Sequence, residues 1–256
     1  MTTFFFSPLE QFEIYPLLSL YIGNIDFSIT NHTIALLLIF ILLYIILLSI
    51  TSPKDGSLSI IPNRWQSVLE LVYLTVLKIA YDNIPHKEGQ FFFPFIFSIF
   101  LFILTLNLVG LIPYSPTLTA QFIVTFTISL VVFLGINIIG IRTHGISFFT
   151  IFLPAGSEGL LAFILVPIEF ISYFFKPISL SLRLFANMMA GHALLKSIVG
   201  ICWTLLGFNG ILFLMQYIPM VILVFLVILE FAIALIQAVV FTILVSTYIH
   251  DVIFLH

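Results

Sequence analysis

Long apolar runs, broken at a few places by polar or turn-forming residues, set the plan of this chain. Residues 1–31 form a mixed lead carrying Pro8, Pro16 and the turn-like "GNID". From His32 to Ile50 runs "HTIALLLIFILLYIILLSI". That is long enough for a spanning helix over 32–50, because about 20 residues cross a hydrocarbon core of about 30 Å. "TSPKDGS" stops it. "RWQSVLELVYLTVLKIAYDN" differs in kind: Gln66, Ser67, Glu70, Lys78 and Asp82 fall within one half of a helical wheel. The pattern predicts an amphipathic helix over 64–82, lying in the membrane interface. "FFFPFIFSIFLFILTLNLVGLIP" and "PTLTAQFIVTFTISLVVFLGINIIGI" predict two spans within 91–141, and "RTHGISFFTIFLPAGSEG" connects them to the C-terminal part of the chain. Two longer stretches, Leu160–Trp203 and Gln216–Phe254, are separated by "TLLGFNG".

Those last two stretches are too long for a perpendicular crossing. About 40 residues at about 1.5 Å each give about 60 Å, twice the hydrocarbon thickness. Either Pro167, Pro177 and Pro219 break them, or they lie steeply tilted, well past the usual 20° or so. The expected fold is an all-α membrane protein forming a single membrane domain over 1–256. It has one N-terminal span, an interfacial amphipathic helix, two further spans, and two long steeply tilted helices making a hairpin over 160–254.

Composition agrees and removes the alternatives. The chain is 62% hydrophobic and 7% charged, with a mean hydropathy of +1.28, which excludes a soluble domain. A β-barrel would show short alternating segments, and the sequence has none. The net charge of −3 gives no reason to expect nucleic acid or an acidic partner. Cys202, the one cysteine, permits no internal disulfide and reads as a small buried hydrophobe. "MTTFFFSPLEQFEI" has no basic n-region and carries Glu10 and Glu13, unlike a secretory signal.

Basic residues orient the chain. The lead over 1–31 has no Lys or Arg, whereas Lys54, Arg64, Lys78 and Lys87 lie between the first and second spans. The positive-inside rule puts that cluster on the matrix or cytoplasmic side and the N-terminus outside. Alternation then puts Arg142, Glu158 and the start of the fifth helix inside, and the sixth helix ends inside too.

Polar residues within apolar runs are the candidate chemistry. No charge occurs between Glu88 and Arg142, nor between Lys196 and Glu230, yet Arg183 stands in an apolar run. At mid-bilayer it costs about 2.5–3.5 kcal/mol on insertion scales, and a guanidinium cannot shed its proton there. Two readings stay open: a static ion pair with a neighbouring helix, or a fixed charge on an ion path. Ser179, Arg183, Ala186, Asn187 and Ala190 recur at helical spacing, a stripe of small residues around one cation that lets another helix approach closely. Glu169 shares nearly the same azimuth, four turns toward the inner side. His192 lies toward the outer side, and Glu230 and Gln237, seven apart, share a face of the last helix. Antiparallel pairing of the two long helices would set Gln237 level with Arg183 and Glu230 near His192. Titratable groups at two depths with a permanent cation between them suit a two-step proton path.

Each residue also has a plainer reading. Glu169 and Glu230 could sit at the membrane interface, and His192 could simply pack. A metal held by His192 and Glu230 lacks further ligands at clear spacing. Asp251, beside His250, reads first as an interfacial terminus and second as part of the inner-side path. Lys176 and Lys196 read as snorkelling side chains, and Arg142 and His144 as inner-interface anchors. Asn107 and Gln121 read as interhelical hydrogen-bond glue rather than proton carriers. Nothing resembles an enzyme site: there is no phosphate loop, no nucleophile paired with a base, and no metal cluster.

At these residues the sequence resembles subunit a of the F-type ATP synthase, in a mitochondrial and fungal form. "PISLSLRLFANMMAGH" carries the arginine motif and "ILEFAIALIQAVVF" the last-helix motif, while "SPLEQFEI" and "DVIFLH" extend the likeness over essentially the whole chain. Lys176 departs from the arginine many members have there, with the charge kept. The abundance of Phe, Ile and Leu fits the AT-rich genomes of many mitochondria. The resemblance implies a stator subunit, not catalytic alone and needing no cofactor or metal, whose long helices lean on a rotating c-ring of carboxylate-bearing subunits. It implies that Arg183 holds the ring carboxylate ionised and separates two half-channels. His192 and Glu230 would belong to the outer one and Glu169 to the inner one, with Asp251 as a further inner-side residue. Asn187 and Gln237 would position Arg183 or relay through water, and Ser179, Ala186 and Ala190 would face the rotor. Implied partners are the c-ring, the peripheral-stalk subunit b, other small membrane subunits and the lipid bilayer, in a dimeric synthase without nucleic acid. The implied location is the mitochondrial inner membrane, with the N-terminus toward the intermembrane space and the C-terminus toward the matrix. The rival classes are a lone secondary transporter, against which stands the lack of an internal repeat, and a purely structural anchor.

Overall fold

The computed structural model describes residues 12–23, 25–51, 64–84, 86–112, 115–153, 160–207 and 215–254. Lys54 and Glu158, both expected on the inner side, lie outside the described residues. Six long helices are described: α1 Asn31–Thr51, α2 Arg64–Asn83, α3 His86–Gly110, α4 Phe122–His144, α5 Leu160–Leu206 and α6 Tyr217–Ile253. A 3-10 turn at Leu118–Ala120 precedes α4, and a 3-10 stretch at Gly145–Phe152 follows it. The chain is thus an all-α membrane protein. α1, α3, α4 with its 3-10 extension, α5 and α6 are each long and apolar enough to cross a membrane, and α2 is not among them.

The lead is more ordered than its composition suggested. Strands β1 (Pro16–Leu18) and β4 (Ile29–Thr30) pair antiparallel, as do β2 (Tyr21–Ile22) and β3 (Ile25–Asp26). The inner turn passes Gly23, whose φ of 63° is a region glycine enters without steric cost. The ladder then feeds directly into α1. Thr33 Oγ1 accepts from the Thr30 amide at 2.9 Å, and the Thr33 amide donates to Thr30 Oγ1 at 3.4 Å, a reciprocal cap of the orphan donors at a helix start. Asn31 ties the same corner to the lead by donating from Nδ2 to the Glu13 carbonyl at 3.3 Å.

The prolines break nothing. Pro167 and Pro177 lie inside α5 and Pro94 inside α3, while Pro219 falls in the first turn of α6, where a missing N–H costs little. Apolar helices tolerate interior prolines where neighbouring groups re-satisfy the freed carbonyls. At about 1.5 Å per residue, the 47 residues of α5 span about 70 Å and the 37 of α6 about 55 Å. Of the two alternatives for these stretches, the unbroken one holds.

The chain divides into two compact units. One comprises residues 1–47, 104–121 and 184–237, the other 48–103, 122–183 and 238–256. In the first, Ala35, Ile39, Leu106, Leu118, Leu184, Met188 and Ala234 are buried, and Gln121 Nε2 donates to the Phe12 carbonyl at 2.7 Å. Gln121 therefore helps fasten the lead. In the second, Phe133 and Phe152 pack on Tyr173, with ring centroids 5.0 and 5.4 Å away. Gly140 in α4 meets Val252 and Phe148 so closely that an added Cβ would lie 2.5 Å from Val252 Cγ1. Elsewhere large apolar side chains such as Leu37, Phe163 and Val221 are exposed, as a lipid-facing surface requires.

Candidate functional site

In the first unit, α6 presents Glu230 and Gln237 on one face, and both are buried, at 9% and 8% exposure. Glu230 reaches α5 at Gly191. A Cβ added there would stand 3.1 Å from the Glu230 Cδ and 3.2 Å from its Cγ, with Oε1 nearer still. Glycine costs a helix interior about 1 kcal/mol relative to alanine, and here the vacated volume holds a carboxyl group. His192, the next residue, is half-buried with its Nε2 fully enclosed. Glu230 thus meets the turn of α5 that carries Gly191 and His192. Asn187 is half-buried on the same helix, and Ala186 and Ala190 are exposed.

The sequence reading missed what α3 contributes here. Asn107 is fully buried, and its Nδ2 donates to the Ala234 carbonyl, one turn along α6 from Glu230, at 3.3 Å. That bond is the expected interhelical glue, but it uses only half of the amide. Asn107 Oδ1, Glu230 Oε1, His192 Nε2 and Thr119 Oγ1 are buried polar atoms without a hydrogen-bond partner among the described residues. Each such orphan costs about 1–3 kcal/mol, and native cores hold few of them. All four lie in the first unit, and Glu88 Oε2, in the second unit, is a further such atom. The one cue in the sequence was Gly191 immediately before His192.

In the second unit, Arg183 and Ser179 are exposed on α5, and Glu169 is half-buried on the same helix. Arg183 forms no ion pair with an acidic side chain among the described residues, where the ion pairs are Lys176–Asp251 and His250–Asp251. Lys176, expected to snorkel, lies 3.4 Å from Asp251 Oδ2 and over the rings of Tyr173 and Tyr248, at 5.1 and 4.8 Å from their centroids. Asp251 is more than a polar terminus, since the same carboxylate also has His250 Nδ1 at 3.9 Å. The Tyr173 hydroxyl donates to Asn137 Oδ1, holding that ring in place. His144, expected as an interface anchor, hydrogen-bonds through Nε2 to the Ile253 carbonyl at 2.9 Å, closing the last turn of α6.

Taken with the apolar helices, these ionisable groups define an integral membrane protein that keeps carboxyl, imidazole and guanidinium groups within its spans. Residues 33–250 match the family described as ATP synthase A chain. The chain is 48% identical over 255 residues to "ATP synthase subunit a" of Pylaiella littoralis, covering 98% of this chain and 100% of that one. It is 46% identical over 252 residues to the protein of the same name from Marchantia polymorpha, covering 98% and 99%. With that of Chondrus crispus it shares 45% over 251 residues, covering 98% and 97%. The chain belongs to the ATP synthase subunit a family. These relatives come from algae and a plant, so the fungal form expected from the chain ends gives way to an organellar, plant-type one.

Proposed function

We propose that this chain couples proton flow to rotation, by offering two offset half-channels to a ring of carboxylate-bearing subunits with Arg183 between them. The coarse part follows from family membership: it is the proton-translocating stator subunit of an ATP synthase membrane sector and is not catalytic alone. In the finer reading His192 and Glu230 receive protons on the outer side, and Glu169 with Asp251 releases them on the inner side. Gln237 and Asn187 serve the region around Arg183, either by orienting it or by relaying through water. Ser179, Ala186 and Ala190 face the ring. Peripheral-stalk subunit b and small membrane subunits hold the stator, within a dimeric complex of the mitochondrial inner membrane. The distribution of Lys and Arg supports an N-terminus in the intermembrane space and a C-terminus in the matrix.

One observation carries this reading. Arg183 is exposed on a surface of small residues, without an acidic partner among the described residues. A static internal ion pair would explain its insertion cost, and that pair is not found there. An exposed guanidinium beside Ser179 and Ala186 suits a carboxylate brought by another helix, since small side chains let two backbones come close. A permanent charge there also repels protons, which have to leave on the ring. Each charge moved through 100 mV yields about 2.3 kcal/mol, too little for one ATP, so several must be summed by rotation and a leak past Arg183 would waste them.

Arg183→Ala and Arg183→Lys in the whole complex test the reading. ATP-driven proton pumping per assembled complex should fall at least about 100-fold in both, because a lysine ammonium is neither planar nor unable to titrate. Pumping near the wild-type level in Arg183→Ala would make the arginine structural.

A further inference from the structure

We infer that the N-terminal lead lies flat in the headgroup layer of the bilayer, as a lipid-bound β-ribbon at the start of α1. The inference is independent of the half-channel reading. Helix α1 has 21 residues, about 31 Å at about 1.5 Å each, so crossing a hydrocarbon core of about 30 Å uses all of it. β4 ends at Thr30 and α1 begins at Asn31, which sets the foot of the ladder at the edge of the core. The lead is tied down twice at that level. The Tyr15 amide donates to Asn31 Oδ1 at 3.3 Å, and Asn31 Nδ2 donates to the Glu13 carbonyl at 3.3 Å. Gln121, one residue before α4, holds the Phe12 carbonyl at 2.7 Å. Residues 12–15 therefore run between two helix starts, along the membrane rather than away from it.

Length and apolarity decide the posture of the rest. From Thr30 back to the turn at Gly23 the extended chain reaches about 23 Å, whereas the headgroup layer is about 5–8 Å thick on each side. A ladder standing upright would carry Leu20 and Tyr21 into water, and these are 52% and 71% exposed. Leu17 and Leu18 are consecutive in β1, so they point to opposite faces, and both are more than half exposed. A protein partner on one face would leave the other bare, whereas lipid surrounds both. Residues 12–30 carry Glu13 and Asp26 but no Lys or Arg, so apolar contact rather than attraction to anionic headgroups holds the ribbon. Tyr15 and Tyr21 are the residue type that settles at a membrane–water interface. The exposed apolar surface also continues onto the first turns of α1 at Ile34, Leu37 and Leu38. Two-stranded ladders this short are marginal in water, and an interface that takes up their side chains supports them.

The test uses the assembled wild-type ATP synthase in phosphatidylcholine vesicles. These are doped with phosphatidylcholine bearing a photoreactive diazirine, either beside the headgroup or at the end of an acyl chain. After irradiation, lipid adducts are located by peptide mass spectrometry. The shallow probe should label residues 14–27 to within about threefold of its labelling of Ile34. The deep probe should label them at least about tenfold less than it labels Leu37 to Leu42, which lie about 9–17 Å along α1. Weaker shallow labelling than this means that water or another subunit covers the lead, and overturns the inference. Deep labelling above that bound puts the lead in the hydrocarbon core and overturns it too. The double variant Leu17→Asn/Leu18→Asn keeps the chain length and removes apolar side chains from both faces. It should lower shallow labelling of the lead at least about fivefold with labelling of α1 unchanged, and a smaller drop overturns the apolar basis of the contact. Should that variant not assemble, the wild-type labelling decides alone.

Discussion

Gly191→Ala is the sharpest probe of how Glu230 is held. The new Cβ would lie 3.1 Å from the Glu230 Cδ and 3.2 Å from Cγ, inside ordinary van der Waals contact, with Oε1 closer again. The carboxyl has to turn or retreat by several tenths of an ångström. An off-rotamer side chain costs about 0.5–1.5 kcal/mol and overpacking about 1–3 kcal/mol. If that strain falls on the carboxyl position, transfer through it slows roughly 2- to 160-fold, at tenfold per 1.36 kcal/mol or so. Helix propensity acts the other way, favouring alanine by about 1 kcal/mol, so the complex should assemble nearly as well as wild type. Gly200 supplies the control, because a Cβ there meets nothing within 4 Å. The assay is ATP-driven acidification of vesicles, normalised to assembled complex, for Gly191→Ala and Gly200→Ala side by side. Gly200→Ala should be indistinguishable from wild type, and Glu230→Asp placed in the Gly191→Ala chain should recover part of the loss. Equal flux in the two alanine variants would refute the reasoning, since the carboxyl would then not depend on the space at residue 191.

Two further outcomes concern the second unit. Gly140→Ala sets a Cβ 2.5 Å from Val252 Cγ1 and 2.6 Å from Phe148 Cε2. It should destabilise the complex by about 1–3 kcal/mol, seen as reduced yield and a lower melting temperature, with partial recovery in Gly140→Ala/Val252→Ala; unchanged melting would contradict it. For Lys176 and Asp251, whose side chains are 26% and 42% exposed, a thermal double-mutant cycle with Lys176→Met and Asp251→Asn should give a coupling of about 0.5–1 kcal/mol. A coupling above about 3 kcal/mol would mean that the assembled membrane strips water from the pair.

The helices were legible because hydropathy and length decide them without tertiary help. The span expected over 32–50 is α1 at Asn31–Thr51, and the amphipathic helix expected over 64–82 is α2 at Arg64–Asn83. The long stretches became α5 and α6 with their ends within a few residues of those expected. The prolines were the undecided part, since sequence alone does not say whether neighbours will re-satisfy a freed carbonyl. The strands of the lead escaped notice because two- and three-residue pairings leave no periodicity to read. In the site, the placing of Glu230 against the α5 turn that carries Gly191 and His192 followed from helical register, which is a matter of counting. The link from Asn107 to Ala234, the Lys176–Asp251 pair and the Gln121 contact with Phe12 depend on which distant segments meet, and one chain's residue spacing carries no record of that. Asn107 shows the limit most clearly: its residue type suggested glue, and only its burial revealed that half of its hydrogen-bonding capacity is unspent.

The exposed run of Ser179, Ala186 and Ala190 around Arg183 has a mechanical consequence. Alanine has no side-chain torsion to reset and serine has one, so on the proposed function this surface would offer a passing helix hardly any rotamers to wait for. Interdigitating leucines would behave differently, since knobs seated in holes give each register its own energy minimum. Short side chains would flatten that profile into a low-friction bearing if the proposed rotor runs along them. On that proposal the one strong grip on the track is the guanidinium, and a ring carboxylate would release it by taking up a proton. Position along the track would then be governed by charge rather than by shape.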